Sequence, residues 1–271
     1  MHEAIAFSMN RILFERSEIV DGVATFGGAR AEHVLGVLHG EVGQTLKTGE
    51  INGGIGTGEI LEIMRDGGEG GVVVRVKVCH DQESLRPWVD LILAPPRPRV
   101  MKRLLPQLAA MGVGRIVLVG AKKVEKDFWG ATLLKEEIHR PLLVDGLMQA
   151  GTSILPEIVC RRAFRRFVAD ELDAMFPTTR RVVAHPYGNG AAAGLSSAET
   201  SGTTGTAGTS LSASQDAARQ SLLLAIGPEG GWTDDEVELL ESRGFRRYSL
   251  GPRILRTDTA TIALLARLGA C

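Results

Sequence analysis

Two glycine-proline turns in the last third of the chain carry the residues best suited to chemistry. They are Gly227-Pro228-Glu229-Gly230-Gly231 and Leu250-Gly251-Pro252-Arg253-Ile254-Leu255-Arg256. Each follows an apolar or strand-like run and each opens a predicted helix, so the pair can wall one ligand cleft. Glycine suits such a place because a backbone without Cβ takes positive φ and lets a ligand approach its N–H and C=O groups. Metal chemistry is not expected. The six histidines show no paired spacing, and Cys79, Cys160 and Cys271 form no Cys-x-x-Cys pair and no disulfide framework. A third glycine run, Gly53-Gly54-Ile55-Gly56-Thr57-Gly58, has no apolar strand before it and no helix after it, so a turn between strands is the expected reading.

The elements that must hold the two turns follow from local pattern. Leu222 to Ile226 is a short apolar run that stops at Gly227, which predicts a buried parallel strand. Thr233-Asp234-Asp235-Glu236 fits a capping box, and Gly244 supplies a left-handed stop. Tyr248-Ser249-Leu250 reads as a second strand, and Thr257 or Asp258 as the cap of a closing helix through Leu264 and Leu268. Ligands of open α/β sheets sit at the carboxyl ends of strands, where both turns fall.

The string Ile226-Gly-Pro-Glu-Gly-Gly-Trp-Thr-x-x-Glu236, then Gly244-Phe245, then Leu250-Gly-Pro-Arg-Ile-Leu-Arg-Thr-Asp-Thr-Ala260, resembles the signature of the RsmE family of 16S ribosomal RNA uridine-N3 methyltransferases. Met9 to Leu13, His33 to Leu38, Gln107 to Leu118 and Val183-Ala184-His185-Pro186 extend the resemblance over most of the chain. It implies an α/β fold: a C-terminal SPOUT methyltransferase domain with a trefoil knot and a parallel sheet, preceded by a small PUA-like β-barrel. It further implies S-adenosylmethionine as cofactor, small-subunit ribosomal RNA or the pre-assembled small subunit as substrate, and a homodimer.

On that resemblance, His185, Pro186, Ile226, Gly227, Pro228, Glu229, Gly230, Gly231, Leu250, Gly251, Ile254 and Leu255 are the expected cofactor-binding residues. Glu229 would hold a ribose hydroxyl or the cofactor amine, or alternatively a neighbouring loop N–H. Methylation at N3 requires that the N3 proton leave and that the anionic uracil be stabilised. Arg256 is the expected catalytic residue, because its permanent charge can stabilise that anion; a salt bridge is its alternative role. Asp258 is the nearest carboxylate able to accept the proton, and helix capping is its alternative. Trp232 is expected in the core, with base stacking as the second reading. The chain departs from many relatives at Pro95-Pro96-Arg97-Pro98-Arg99, at Met148 to Pro156, where an arginine is missing, and at Asp258, which replaces glutamate. A SPOUT enzyme with another RNA target and a catalytically silent assembly factor therefore stay open.

The 271 residues are 44% hydrophobic, enough for one large or two modest cores. The overall charge of −1 conceals segregation: residues 1–84 carry 7 basic and 13 acidic groups, 85–166 carry 15 and 7, and 167–271 carry 9 and 12. The basic middle holds three clusters suited to phosphates: Arg97, Arg99, Lys102 and Arg103; Lys122, Lys123 and Lys126; and Arg161, Arg162, Arg165 and Arg166. With Arg11, the first cluster is the expected RNA contact. Short apolar runs between glycine turns up to residue 80, including Val72 to Val78, predict a β-barrel over 1–84. Strands alternating with helical stretches predict the α/β domain over 85–271. Residues 188–219, poor in large apolar side chains, read as a low-complexity insertion. No apolar run reaches membrane-spanning length, and Glu3, Glu15 and Glu18 do not suit a signal peptide. The cytoplasm is the expected compartment, or an organelle if a presequence has been removed.

Overall fold

The computed structural model describes residues 11–65, 71–177, 179–186 and 221–269. The expected insertion at 188–219 lies outside them, as do Met9, Asn10, Gly67, Gly68, Gly70 and Cys271. The chain divides into two compact units. One comprises Met1–Arg86, Leu105–Gly112 and Lys135–Pro156, the other Pro87–Leu104, Val113–Leu134 and Glu157–Cys271.

The first unit is built on strands β1 (Ile12–Phe14), β2 (Ile19–Val20), β3 (Val23–Gly27), β4 (Thr45–Glu50), β5 (Ile55–Arg65) and β6 (Val72–Gln82). They form one sheet in the order β1-β4-β5-β6-β3-β2. β1 pairs with β4 in parallel and the other pairings are antiparallel. Gly53-Gly54 closes the β4–β5 hairpin, as the absence of a flanking helix suggested. Gly27-Gly28 instead ends β3 and opens helix α1 (Gly28–Gly36), whose Ala31 and Val34, three apart, are buried. Phe14, Phe26, Ile60, Val74 and Val76 make the core of this unit.

The second unit carries β7 (Val89–Leu93), β8 (Val113–Val119), β9 (Glu157–Arg161), β10 (Arg180–Ala184), β11 (Leu222–Ile226) and β12 (Arg246–Tyr248). The order is β12-β10-β11-β7-β8-β9 and every pairing is parallel. Sequence order runs outward from β7 to β9, then returns on the other side of β7, so the switch point lies between β7 and β11. β11 has the expected bounds and is buried along its whole length, as a central parallel strand must be. β12 ends at Tyr248, before the expected Ser249 and Leu250, because the Ser249 hydroxyl accepts the Gly251 N–H at 3.2 Å and starts the turn.

The longer helices after β6 among the described residues are α2 (Pro98–Ala110), α3 (Glu136–Ala150), α4 (Asp234–Ser242) and α5 (Thr257–Leu268). Thr233 and Glu236 form the predicted capping box of α4, and Gly244 takes φ 82° after it. The cap expected of α5 is different. Arg256 occupies the N-cap position without a side-chain cap bond, and Thr257 is already helical. Asp258 therefore sits inside the first turn, where a carboxylate still favours the positive end of the helix dipole.

Candidate active site

The turns after β11 and β12 close over a cavity of about 300 Å³ in the second unit. All twelve residues expected to bind a cofactor line it: His185 and Pro186 after β10, Ile226 to Gly231 after β11, and Leu250, Gly251, Ile254 and Leu255 after β12. Ala260 and Leu264 of α5 add apolar wall. Gly251 takes φ 115°, a conformation that side chains with a Cβ rarely adopt. At Gly227, an added Cβ would stand 3.1 Å from the Trp232 backbone nitrogen, a tight approach that the neighbouring backbone would have to yield to.

The walls are tied to each other through polar contacts. The Ser249 hydroxyl donates to the Pro186 carbonyl at 3.1 Å, and the His185 N–H donates to the Tyr248 carbonyl at 3.1 Å. The Thr257 hydroxyl lies 3.5 Å from the Gly227 carbonyl, between the two glycine turns. Lys123 Nζ donates to the Gly230 carbonyl at 2.8 Å. Glu236, only 4% exposed, accepts the Thr233 N–H on Oε2 at 2.9 Å and the Lys122 N–H on Oε1 at 2.7 Å. One carboxylate thus fixes the loop after β8 to the start of α4. Nearby, the bidentate Arg247 holds the Glu241 carboxyl below its ordinary value.

Several side chains are placed differently from the expectation. Glu229 accepts the Arg97 N–H at 3.2 Å, the loop-holding role that was its alternative. Trp232, by contrast, is buried and stacks on Phe164 at 5.2 Å, the core position expected of it. Arg256 is exposed and does not line the cavity. Asp258 lies outside the lining as well: Oδ1 accepts the Thr259 N–H at 2.9 Å and Oδ2 is 3.4 Å from Arg103. Arg253, three residues before Arg256 in the same turn, does line the cavity and was not singled out. Its position between Pro252 and Ile254, both in the turn, was the signal available.

Among the expected RNA contacts, Arg97, Arg99, Lys102 and Arg103 are exposed on the loop after β7 and the first turns of α2. Arg99, Lys102 and Arg103 stand at i, i+3 and i+4 and share a helix face. Arg11 departs from this group. Its guanidinium, in the first unit, donates to the carbonyls of Thr48 at 2.6 Å, Gly56 at 2.9 Å and Gly151 at 3.0 Å. Three backbone carbonyls thus hold this guanidinium within the first unit. Among the described residues, no three His, Cys, Asp or Glu side chains are grouped to hold a metal ion, and no helix is long and apolar enough to cross a membrane.

The model of an RNA methyltransferase domain matches residues 83–269. The ribosomal RNA small subunit methyltransferase E of Treponema pallidum is 31% identical over 95% of this chain and 90% of its own length. The protein of the same name from Synechocystis is 53% identical over a segment covering 18% of this chain and 16% of its own. A solved ribosomal RNA small subunit methyltransferase E from Neisseria gonorrhoeae, bound to S-adenosylmethionine, superposes with a TM-score of 0.65 over 95% of this chain and 96% of that one, at 18% identity. The chain therefore shares the α/β fold of that structure, with its parallel sheet. With the domain match over most of its length and a relative of this identity aligned nearly end to end, the chain belongs to the ribosomal RNA small subunit methyltransferase E, or RsmE, family.

Proposed function

We propose that this protein transfers the methyl group of S-adenosylmethionine to N3 of a uridine in small-subunit ribosomal RNA. The observation that carries this reading is the convergence of two glycine turns and the residues after β10 on one cavity at the carboxyl ends of three neighbouring parallel strands. The lining suits the cofactor. Ile226, Leu250, Leu255 and Leu264 offer apolar wall for an adenine and a thioether stem, and the glycine turns offer main-chain groups for ribose and adenine edges. Arg253 and Glu229 offer opposite charges for the carboxylate and the amine. S-adenosylmethionine supplies, when bound, an electrophilic methyl group on a cationic sulfur.

The chain's own residues then orient the target and manage its proton. Arg256 stabilises negative charge on O2 or O4 of the uracil, which eases loss of the N3 proton. Asp258, held by Arg103 and the first turn of α5, is the carboxylate we assign to receive it. Arg97, Arg99, Lys102 and Arg103 contact phosphates. We assign the residues up to 84 to a PUA-like barrel that also meets RNA, residues 85–271 to the methyltransferase domain with its C-terminal knot, and the active form to a homodimer in the cytoplasm. Exposed Ile254, 74% accessible beside the cavity, supports a partner surface there.

Isothermal titration with S-adenosylmethionine, followed by methylation of undermodified small-subunit ribosomal RNA and mass mapping, tests the proposal. Binding with 3-methyluridine at one position is expected. Binding with a product elsewhere would redirect the target, and no binding would overturn the enzymatic reading.

A further inference from the structure

The second and third basic clusters, far apart in sequence, meet in the second unit around Trp129. Arg162 donates to the Trp129 carbonyl at 3.1 Å, and its guanidinium lies 5.3 Å from the indole centroid. Lys126 opens the 3₁₀ helix Lys126–Gly130 and stands three residues before Trp129, so the two side chains share one face. Lys122 is exposed just upstream. Among the described residues, Lys122, Lys126 and Arg162 have no carboxylate partner, whereas Arg161, Arg165 and Arg166 are paired with Glu171, Asp235 and Asp170. The patch is also anchored to the cavity, because Lys123 holds the Gly230 carbonyl and the Lys122 N–H is held by Glu236.

We propose that Lys122, Lys126, Arg162 and the half-buried Trp129 form a single-stranded RNA track that delivers the substrate strand to the mouth of the cavity. Three unpaired cations match the spacing-tolerant charge of a phosphate backbone, and the indole, fixed on one side by Arg162, presents a surface on which a base can stack. A protein partner fits less well, since the patch has little apolar surface beyond Trp129. The proposal rests on the reading of the chain as an RNA methyltransferase.

Fluorescence anisotropy with a labelled twelve-nucleotide single-stranded RNA, across a range of salt, tests the track without requiring cofactor or turnover. Lys126→Ala/Arg162→Ala is expected to weaken binding about tenfold and to lower the slope of log K against log salt by about 1.4, for two single-strand phosphates at about 0.7 each. S-adenosylmethionine affinity should stay within twofold. Arg246→Ala/Arg267→Ala, which removes two exposed cations elsewhere on the unit, should change neither. Lys126→Glu alone leaves the Arg162 contacts intact and should weaken binding by at least as much as Lys126→Ala, should the double variant fold poorly. RNA affinity and salt slope equal to those of the control would overturn the track, including the case in which the patch serves a protein instead. Failure of the wild type to bind S-adenosylmethionine would count against the enzyme reading and leave this comparison readable.

Discussion

Arg253 and Arg256 stand three residues apart in one turn, yet only Arg253 lines the cavity while Arg256 is exposed at the N-cap of α5. In the proposed function Arg253 meets the cofactor and Arg256 the base. Arg253→Ala is expected to raise the dissociation constant for S-adenosylmethionine about tenfold, roughly 1.4 kcal/mol. Arg256→Ala should leave that constant within a few-fold and lower single-turnover methylation by about a hundredfold, the usual effect of removing one donor to a developing anion. Titration and single-turnover kinetics on both variants check this, and the reverse pattern would exchange the assignments. The twelve expected lining residues were legible through the family resemblance, and the glycines and prolines among them declare a backbone requirement in their own identity. Arg11 was not, since the three carbonyls it serves lie 37, 45 and 140 residues away. Asp90, on β7, makes a second residue-scale case. Burial pushes its carboxyl above the ordinary 3.8, against the Arg115 backbone bond and charge. A raised folded-state value means that folding favours the protonated form: this group's stabilisation is complete below the ordinary value and is lost as pH rises through the folded one. Asp90→Asn keeps an acceptor for the Arg115 N–H and removes the buried charge, so its melting temperature should exceed the wild type's by more at pH 7.5 than at pH 4.5. An equal difference at both would show that ionisation of Asp90 is not involved.

At the scale of elements, Glu236 joins two loops that the sheet alone leaves separate. Its two oxygens satisfy the N–H groups of Thr233 and Lys122, and its burial means that water does not replace it. Glu236→Gln keeps one acceptor and turns an amide toward the other donor, which should destabilise the protein by about 1–3 kcal/mol. Because the Lys122 loop also carries Lys123 on the Gly230 carbonyl, cofactor affinity should fall with it, as thermal melting and titration on the same variant would show. The capping half of this arrangement was plain from Thr233-Asp234-Asp235-Glu236, a local pattern with a local partner; the Lys122 half crosses 114 residues and had no local trace. The same contrast bears on Ser249 and Thr257, whose hydroxyls reach the Pro186 and Gly227 carbonyls 63 and 30 residues away. Gly146 of α3 gives a purely steric test. A Cβ there would stand 2.0 Å from the Pro106 carbonyl oxygen, so the two helices touch only through glycine. Gly146→Ala should destabilise by about 2 kcal/mol, or roughly 4–8 °C in Tm, unless α3 shifts away from Pro106.

Across the whole molecule, charge and contact are organised on different maps. Composition changes sign near Leu85, and the cations of the middle segment stand exposed in the second unit at Arg97, Arg99, Lys102, Arg103, Lys122, Lys126 and Arg162. Contacts gather Leu105–Gly112 and Lys135–Pro156 with the N-terminal residues instead. Bonds such as Ser153 to Gly53, Arg140 to Glu15 and Arg11 to Gly151 span 100, 125 and 140 residues, distances at which hydrophobic periodicity and turn chemistry record nothing. Assembly is the remaining question at this scale, and one side chain addresses it. Ile254 lines the cavity and is 74% exposed, with Leu250 and Leu255 beside it at 38% and 37%. Three large apolar groups in one turn leave a patch that a monomer would keep in water, whereas a second subunit would cover it. In the proposed homodimer, Ile254→Asp places a carboxylate in that covered surface, where an unpaired charge is strongly unfavourable. Sedimentation velocity at micromolar concentration should then show a dimer for the wild type and predominantly monomer for the variant. Cofactor affinity should fall in step with dissociation, because the turn that forms the cavity wall loses its cover. A wild-type protein that sediments as a monomer would remove the homodimer and leave the exposed turn to be explained by the substrate it meets.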